Sequence, residues 1–186
     1  MPFKLKNMNR LIIISGDLAA GKSTLANRLG EYLSFVVLNK DPLKEIECDV
    51  FGYSSREENK LLSVAAMKNM IHVFSRLAKV GTDTILEANF RSEEVCDIAD
   101  IASEYNYNVV SIILRGNQTV LYQRFLERME TRHKAHISIG LQNDYNRFVE
   151  YNQYLRNQDL VFEPFIVDTT TLGEDATFEK VIYKRW

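Results

Sequence analysis

Cysteine is almost missing from this 186-residue sequence, and the two that occur, Cys48 and Cys96, have neither metal-type spacing nor the setting of a secreted disulfide framework. Both are expected to be reduced thiols. Proline is equally scarce, and no Pro/Gly-rich or low-complexity linker interrupts the chain, so one domain spanning residues 1–186 is expected. Long apolar runs are absent too. The longest early one, Leu11-Ile12-Ile13-Ile14, follows Lys4, Lys6 and Arg10 but is too short for a signal-peptide core, and nothing approaches membrane-spanning length. A cytoplasmic protein without membrane contact is the expectation. Charge of one sign is also lacking. With 23 Lys and Arg against 25 Asp and Glu there is no general basic field, which makes nucleic acid a possible but disfavoured partner. Oligomeric state is not legible.

What the sequence does have is alternation. Short β-rich apolar runs at Leu11 to Ser15, Phe35 to Leu38, Thr84 to Ala88, Val109 to Leu114 and Phe165 to Asp168 are separated by longer segments of helical period. This is the pattern of an α/β protein with a mainly parallel sheet. Helices are expected from about Gly21, with Leu25, Arg28-Leu29 and Tyr32-Leu33 as the buried stripe; from Ser54 to Gly81, with Leu61, Val64, Met67, Ile71 and Phe74; from an N-cap at Ser92; from Thr119 to about Lys134; and from Leu141 to Asn157. In the last, Tyr145, Phe148, Tyr151 and Tyr154 can be core, substrate wall or dimer face, core being the usual role of an apolar stripe at helical spacing. The polar stretch Arg128 to Gly140 suits a mobile lid.

One motif dominates. Gly16-Asp17-Leu18-Ala19-Ala20-Gly21-Lys22-Ser23, followed by Thr24, fits G-x-x-x-x-G-K-[ST] between a strand and a helix. In such a loop the glycines let backbone N–H groups turn around phosphates, the lysine reaches the β- and γ-phosphates, and the serine hydroxyl can ligate Mg²⁺. ATP and Mg²⁺ are therefore the expected cofactors, bound by residues 16 to 24.

The other candidates lie where strands end. Asp41, just past the second strand, can take the proton of an attacking hydroxyl, or can be a turn or N-cap residue before Pro42. Glu87, in a strand expected to be buried, is costly unless it serves the metal or the acceptor, and Asn89 and Arg91 follow it. Arg124, Arg128 and Arg132 recur every four residues, so one helical face can present three guanidinium groups to phosphates, with a salt-bridged surface involving Glu127 and Glu130 as the bland alternative. His133 and His136 have no further ligand set for a metal and read as lid residues, and His72 reads as a core-edge histidine. Asn39-Lys40-Asp41 is misplaced for guanine recognition, and the chain is short for a motor.

Together these pieces resemble the small P-loop kinases grouped with chloramphenicol phosphotransferase, zeta toxins and the kinase domain of polynucleotide kinase. The matching segments are the loop at residues 16 to 24, Asp41-Pro42-Leu43-Lys44, Glu87-Ala88-Asn89, Arg132-His133-Lys134-Ala135-His136 and Val167-Asp168-Thr169. The resemblance implies a three-layer P-loop fold with a five-stranded parallel sheet in the order 2-3-1-4-5 and a small helical lid over about residues 124–140. It implies a kinase acting on a hydroxyl-bearing substrate, with Lys22 and the lid arginines at the phosphates, Asp41 as base and Lys44 near the phosphate or acceptor. In related sequences the place of Lys44 is often arginine and that of Glu87 aspartate, and the lid is richer in proline and glycine. The acceptor, whether a small molecule, a nucleotide sugar or a nucleic-acid 5′-hydroxyl, stays open. The rival expectation is an ATP-binding regulator or slow ATPase in which Asp41 is only a turn residue.

Overall fold

The computed structural model describes residues 8–137 and 139–184. Lys4, Lys6 and Ser138 of the expected lid lie outside the described residues. The elements in chain order are β1 (Arg10–Gly16), α1 (Lys22–Leu33), β2 (Val36–Asn39), α2 (Lys40–Phe51), α3 (Arg56–Val80), β3 (Thr84–Glu87), α4 (Ser92–Glu104), β4 (Asn108–Arg115), α5 (Gln118–Met129), a 3₁₀ turn (Lys134–His136), α6 (Ile139–Gln142), α7 (Tyr145–Arg156), β5 (Pro164–Asp168) and α8 (Thr169–Ile182). The strands form one parallel sheet in the order β2-β3-β1-β4-β5, as expected.

β1 shows why there are three layers. Successive side chains of a strand face opposite sides. Ile12 and Ile14 join Leu25, Leu29, Phe125 and Phe148 on one face, while Leu11 and Ile13 join Met70, Phe74 and Ile98 on the other. A strand buried on both faces reads as a continuous apolar run, as Leu11-Ile12-Ile13-Ile14 does here.

Several helical details depart from expectation. α1 buries Leu25, Ala26, Leu29 and Gly30, whereas Tyr32 is exposed. α3 buries Ala66, Met67, Met70, Phe74 and Ala78 and leaves Leu61 and Val64 exposed. Ser55 caps α3 by accepting from Glu58 N, while Glu58 accepts from Ser54 N. α4 has Arg91, not Ser92, in the N-cap position. In α7 Phe148 is core, but Tyr145, Tyr151 and Tyr154 remain partly exposed.

The larger surprise is α2. Pro42 suggests a turn, yet it sits in the first helical turn, where its missing N–H costs nothing. α8 was also unforeseen. Among the described residues no helix is long and apolar enough to cross a membrane.

Candidate functional site

The glycine loop runs from the end of β1 into α1. Gly16 has φ 130°, and a Cβ there would run into the carbonyl oxygen of Leu114 on the neighbouring strand. Gly21 has φ 83°, and open space surrounds the position its Cβ would take. The first glycine is needed for strand contact, the second for a left-handed turn with a clear face. Ala19 also adopts a positive φ of 58°.

The loop is fastened from behind. Asp17 is fully buried and its carboxylate accepts from Arg156 Nε at 2.9 Å, from Gly116 N at 3.2 Å and from Gln118 Nε2 at 3.4 Å. Buried Asn152 accepts from Leu18 N at 2.8 Å and donates to Gln118 Oε1 at 2.8 Å. Ala20 is buried in the core. Within the loop, Asp17 N and Leu18 N are thereby used up. By contrast, the N–H groups of Ala19, Gly21, Lys22, Ser23 and Thr24 have no acceptor among the described residues.

Lys22 bends back over this cradle, donating to Gly16 O at 3.2 Å and Asp17 O at 2.7 Å. Burial pushes its ammonium below the usual lysine value, against the pull of Glu87, Asp41 and Asp17. Ser23 Oγ donates to Glu87 Oε2 at 3.0 Å. Burial pushes the Glu87 carboxyl up, with Lys22 opposing. Beside it the buried Asn89 Oδ1 has no partner among the described residues. Arg91 is exposed and lies 3.8 Å from Glu93.

A cavity of about 400 Å³ opens in front of the loop. Ser23 and Thr24 line one side, Arg124 and Arg128 another, and Thr169 and Phe178 a third. Arg124 also donates to Thr169 O at 3.4 Å.

The three arginines do not share one helical face. α5 stops at Met129, so Arg132 lies beyond the helix and turns away to Asp41, with Nη2 3.3 Å from Oδ2. Asp41 is neither the N-cap nor a turn residue. Asn39 holds the N-cap position, and Asp41 stands in the first turn of α2, paired also to Lys40 at 3.1 Å. Burial pushes its carboxyl upward, but Lys40, His136 and Arg132 outweigh that and hold it well below the usual carboxylate range.

Sequence reading missed what holds the expected lid. Asp41, Glu45 and Asp49 recur every four residues along α2, and each meets a basic residue of 132–136. His136 Nε2 lies 3.0 Å from Glu45, and His133 and Lys134 each lie 3.2 Å from Asp49. Lys44, expected near the acceptor, is buried and donates instead to Asn59 Oδ1 at 2.7 Å and Ala135 O at 2.8 Å. Burial brings its pKa down to about 8. The acidic ladder was visible as a spacing, but only once α2 is known to be a helix. Arg156 and Asn152 carried no sequence signal.

A parallel sheet of this order with a glycine loop after its central strand defines the P-loop class of nucleotide-binding folds. A family model described as an AAA domain matches residues 11–142, and the chain belongs to that family. No curated protein matches it in sequence. Among solved structures it is similar to a provisionally assigned kinase of Chloroflexus aurantiacus J-10-fl, with 24% identity over 97% of this chain and 100% of that one and a TM-score of 0.77. The tunicamycin resistance protein of Deinococcus radiodurans shares 13% identity over 93% of each chain, with a TM-score of 0.59. Shikimate kinase of Bacteroides thetaiotaomicron shares 14% over 93% of this chain and 94% of its own, with a TM-score of 0.55. At these identities the likeness is one of fold.

Proposed function

We propose that the protein is an ATP- and Mg²⁺-dependent phosphotransferase that moves the γ-phosphate of ATP to a hydroxyl group of an acceptor. The observation that carries this reading is the convergence of Lys22, the Ser23–Glu87 pair and Asp41 on one rim of the sheet, with Lys22 within electrostatic reach of both carboxylates. A carboxylate at this place can take a proton from an acceptor hydroxyl as well as hold Arg132.

The residues fit ATP. Five loop N–H groups without an acceptor among the described residues, with the Lys22 ammonium folded over the same loop, offer a cradle for the phosphates. Arg124 and Arg128 border the same cavity, so they can neutralise phosphate charge. The residues also fit Mg²⁺. Ser23 and Glu87 supply two oxygen donors already in contact, and Mg²⁺ typically takes its other ligands from phosphates and water. The ion would offset the charge of the β- and γ-phosphate oxygens. Asp41 accepts the acceptor's proton, Asn89 offers a buried amide oxygen to a hydroxyl, and Arg91 borders the acceptor side. Lys44 has another task, because its ammonium is committed to the 132–136 segment.

Transfer of labelled γ-phosphate from Mg-ATP to a panel of nucleosides, sugars, aminoglycosides, phenicols and 5′-hydroxyl oligonucleotides tests the reading. Label is expected in one acceptor class with the natural chain and not with Asp41→Asn. Tight ATP binding with label passing only to water at an unchanged rate in Asp41→Asn would replace the kinase by an ATP-binding regulator.

A further inference from the structure

The proposed base has a difficulty that its surroundings resolve. A general base works best when its pKa lies near the working pH. Asp41 is paired to Lys40 at 3.1 Å and Arg132 at 3.3 Å, and both cations oppose its protonation. A carboxylate so placed accepts a proton reluctantly and must pass it on quickly. Directly beside it stands His136, whose side chain is only 6% exposed, with Nδ1 3.9 Å from Asp41 Oδ2 and Nε2 3.0 Å from Glu45 Oε1. Asp41 and Glu45 are one helical turn apart on α2, so the imidazole bridges two carboxylates on one helix face.

We propose that His136 receives the acceptor's proton through Asp41, forming with Glu45 a relay from the reaction centre to the surface; this rests on the kinase reading above. The hydrogen bond to Glu45 selects the tautomer with the proton on Nε2 and leaves Nδ1 free to accept toward Asp41. In the transfer step the acceptor oxygen bonds to the γ-phosphorus, the bond from that phosphorus to the β–γ bridging oxygen breaks, and its electron pair leaves with ADP. The hydroxyl proton passes to Asp41 Oδ2 and then to His136 Nδ1. The imidazolium rests between two carboxylates, its Nε2 proton departs by way of Glu45, whose side chain is 37% exposed, and tautomer exchange with water returns the remaining proton from Nδ1 to Nε2 before the next turnover.

Other groups set the balance. Lys40 and Lys44 of α2 and Arg132 of the following segment disfavour the imidazolium, Asp41 and Glu45 favour it, and the ring of His133 lies 6.4 Å away. Burial comes first among these influences and lowers the pKa of His136, which favours the neutral ring. His133 is built differently. Its Nδ1 already accepts from Ala135 N at 3.2 Å, so it has no free nitrogen for a relay and serves as an internal reference.

The chain has only three histidines, which makes the test direct. Long-range ¹H–¹⁵N spectra of the full-length protein are expected to show His136 neutral at pH 7 with its proton on Nε2. Transfer of γ-phosphate, to an acceptor of the panel or to water, should show an acid limb that follows His136. Glu45→Gln should shift that limb to lower pH, since losing a carboxylate lowers the imidazole pKa. His136→Gln keeps a hydrogen bond toward Glu45 but cannot take a proton, so it should lose the limb and about 10²-fold in rate at pH 7, with KM for ATP unchanged. An Nδ1–H tautomer, or an unmoved acid limb in both variants, overturns the relay and leaves the kinase standing. A natural chain that binds Mg-ATP and transfers phosphate to nothing, water included, overturns both.

Discussion

Arg132 and Asp41, 91 residues apart in the chain, are ion-paired at 3.3 Å, so a cation of the expected lid rests on the proposed base. An acceptor hydroxyl that hydrogen-bonds Asp41 competes with Arg132 and frees it for phosphate. Asp41→Asn removes both the base and the ion pair. Steady-state kinetics should show acceptor phosphorylation falling about 10²- to 10⁴-fold, with nucleotide affinity from equilibrium binding nearly unchanged. A variant that still phosphorylates the acceptor at the natural rate would remove Asp41 from the mechanism.

Lys22→Ala deletes the one ammonium inside the loop. Its hydrogen bonds to Gly16 O and Asp17 O are weak substitutes for phosphate, so nucleotide binding should suffer far more than stability. Calorimetric titration with Mg-ATP is expected to show at least about a tenfold loss of affinity, the equivalent of one charge-assisted hydrogen bond of about 1.5 kcal/mol. Natural affinity together with natural turnover would overturn the assignment of the loop.

Glu87 ties function to a pH-dependent stability. Its folded pKa lies above the unfolded one because burial disfavours the charge, so its contribution is fully present below the unfolded value near 4.5 and is lost as pH rises through the folded value. Glu87→Gln removes that loss. Denaturant titrations without nucleotide should find the variant more stable than the natural protein at pH 7 and no more stable at pH 4. The same substitution should raise the Mg²⁺ concentration needed for half-maximal turnover.

Lys44 carries the 132–136 segment by its bond to Ala135 O, while Asn59 supplies a second one at 3.2 Å. Lys44→Met keeps the length of the side chain and loses the donor. Limited proteolysis is expected to cut the variant faster between residues 130 and 140, and KM for the acceptor should rise severalfold with KM for ATP little changed. Equal proteolysis of the two proteins would mean that the acidic ladder of α2 suffices alone.

Arg156→Ala leaves the carboxylate of Asp17 buried without its cation. Breaking a buried pair this way typically costs about 3 kcal/mol or more, to be read from chemical denaturation. ATP affinity should fall with it, since Asp17 belongs to the phosphate loop.

The sheet was legible because each strand carries a short β-rich apolar run and the first turn is a motif in which every residue type has a task. Strand order came with the resemblance. What escaped was whatever depends on contact between distant segments. Pro42 hid α2, since a proline one residue after a possible cap reads equally as a turn, and with α2 went the ladder that gives Arg132, His133, Lys134 and His136 their partners. Equal spacing made Arg124, Arg128 and Arg132 look like one face, but nothing local announced that α5 would stop at Met129. Asp17 lay inside the recognised loop, yet only the fold reveals that its side chain points to α7.

That last connection bears on how this protein can be recombined with its relatives. The matched family region closes at residue 142, whereas Arg156 and Asn152, which fix Asp17 and Leu18, come later. A chimera joined at that boundary would inherit the complete glycine loop and lose the two side chains that hold its shape. Exchange of whole modules would therefore succeed only with the junction placed beyond α7, so that loop and clasp travel together.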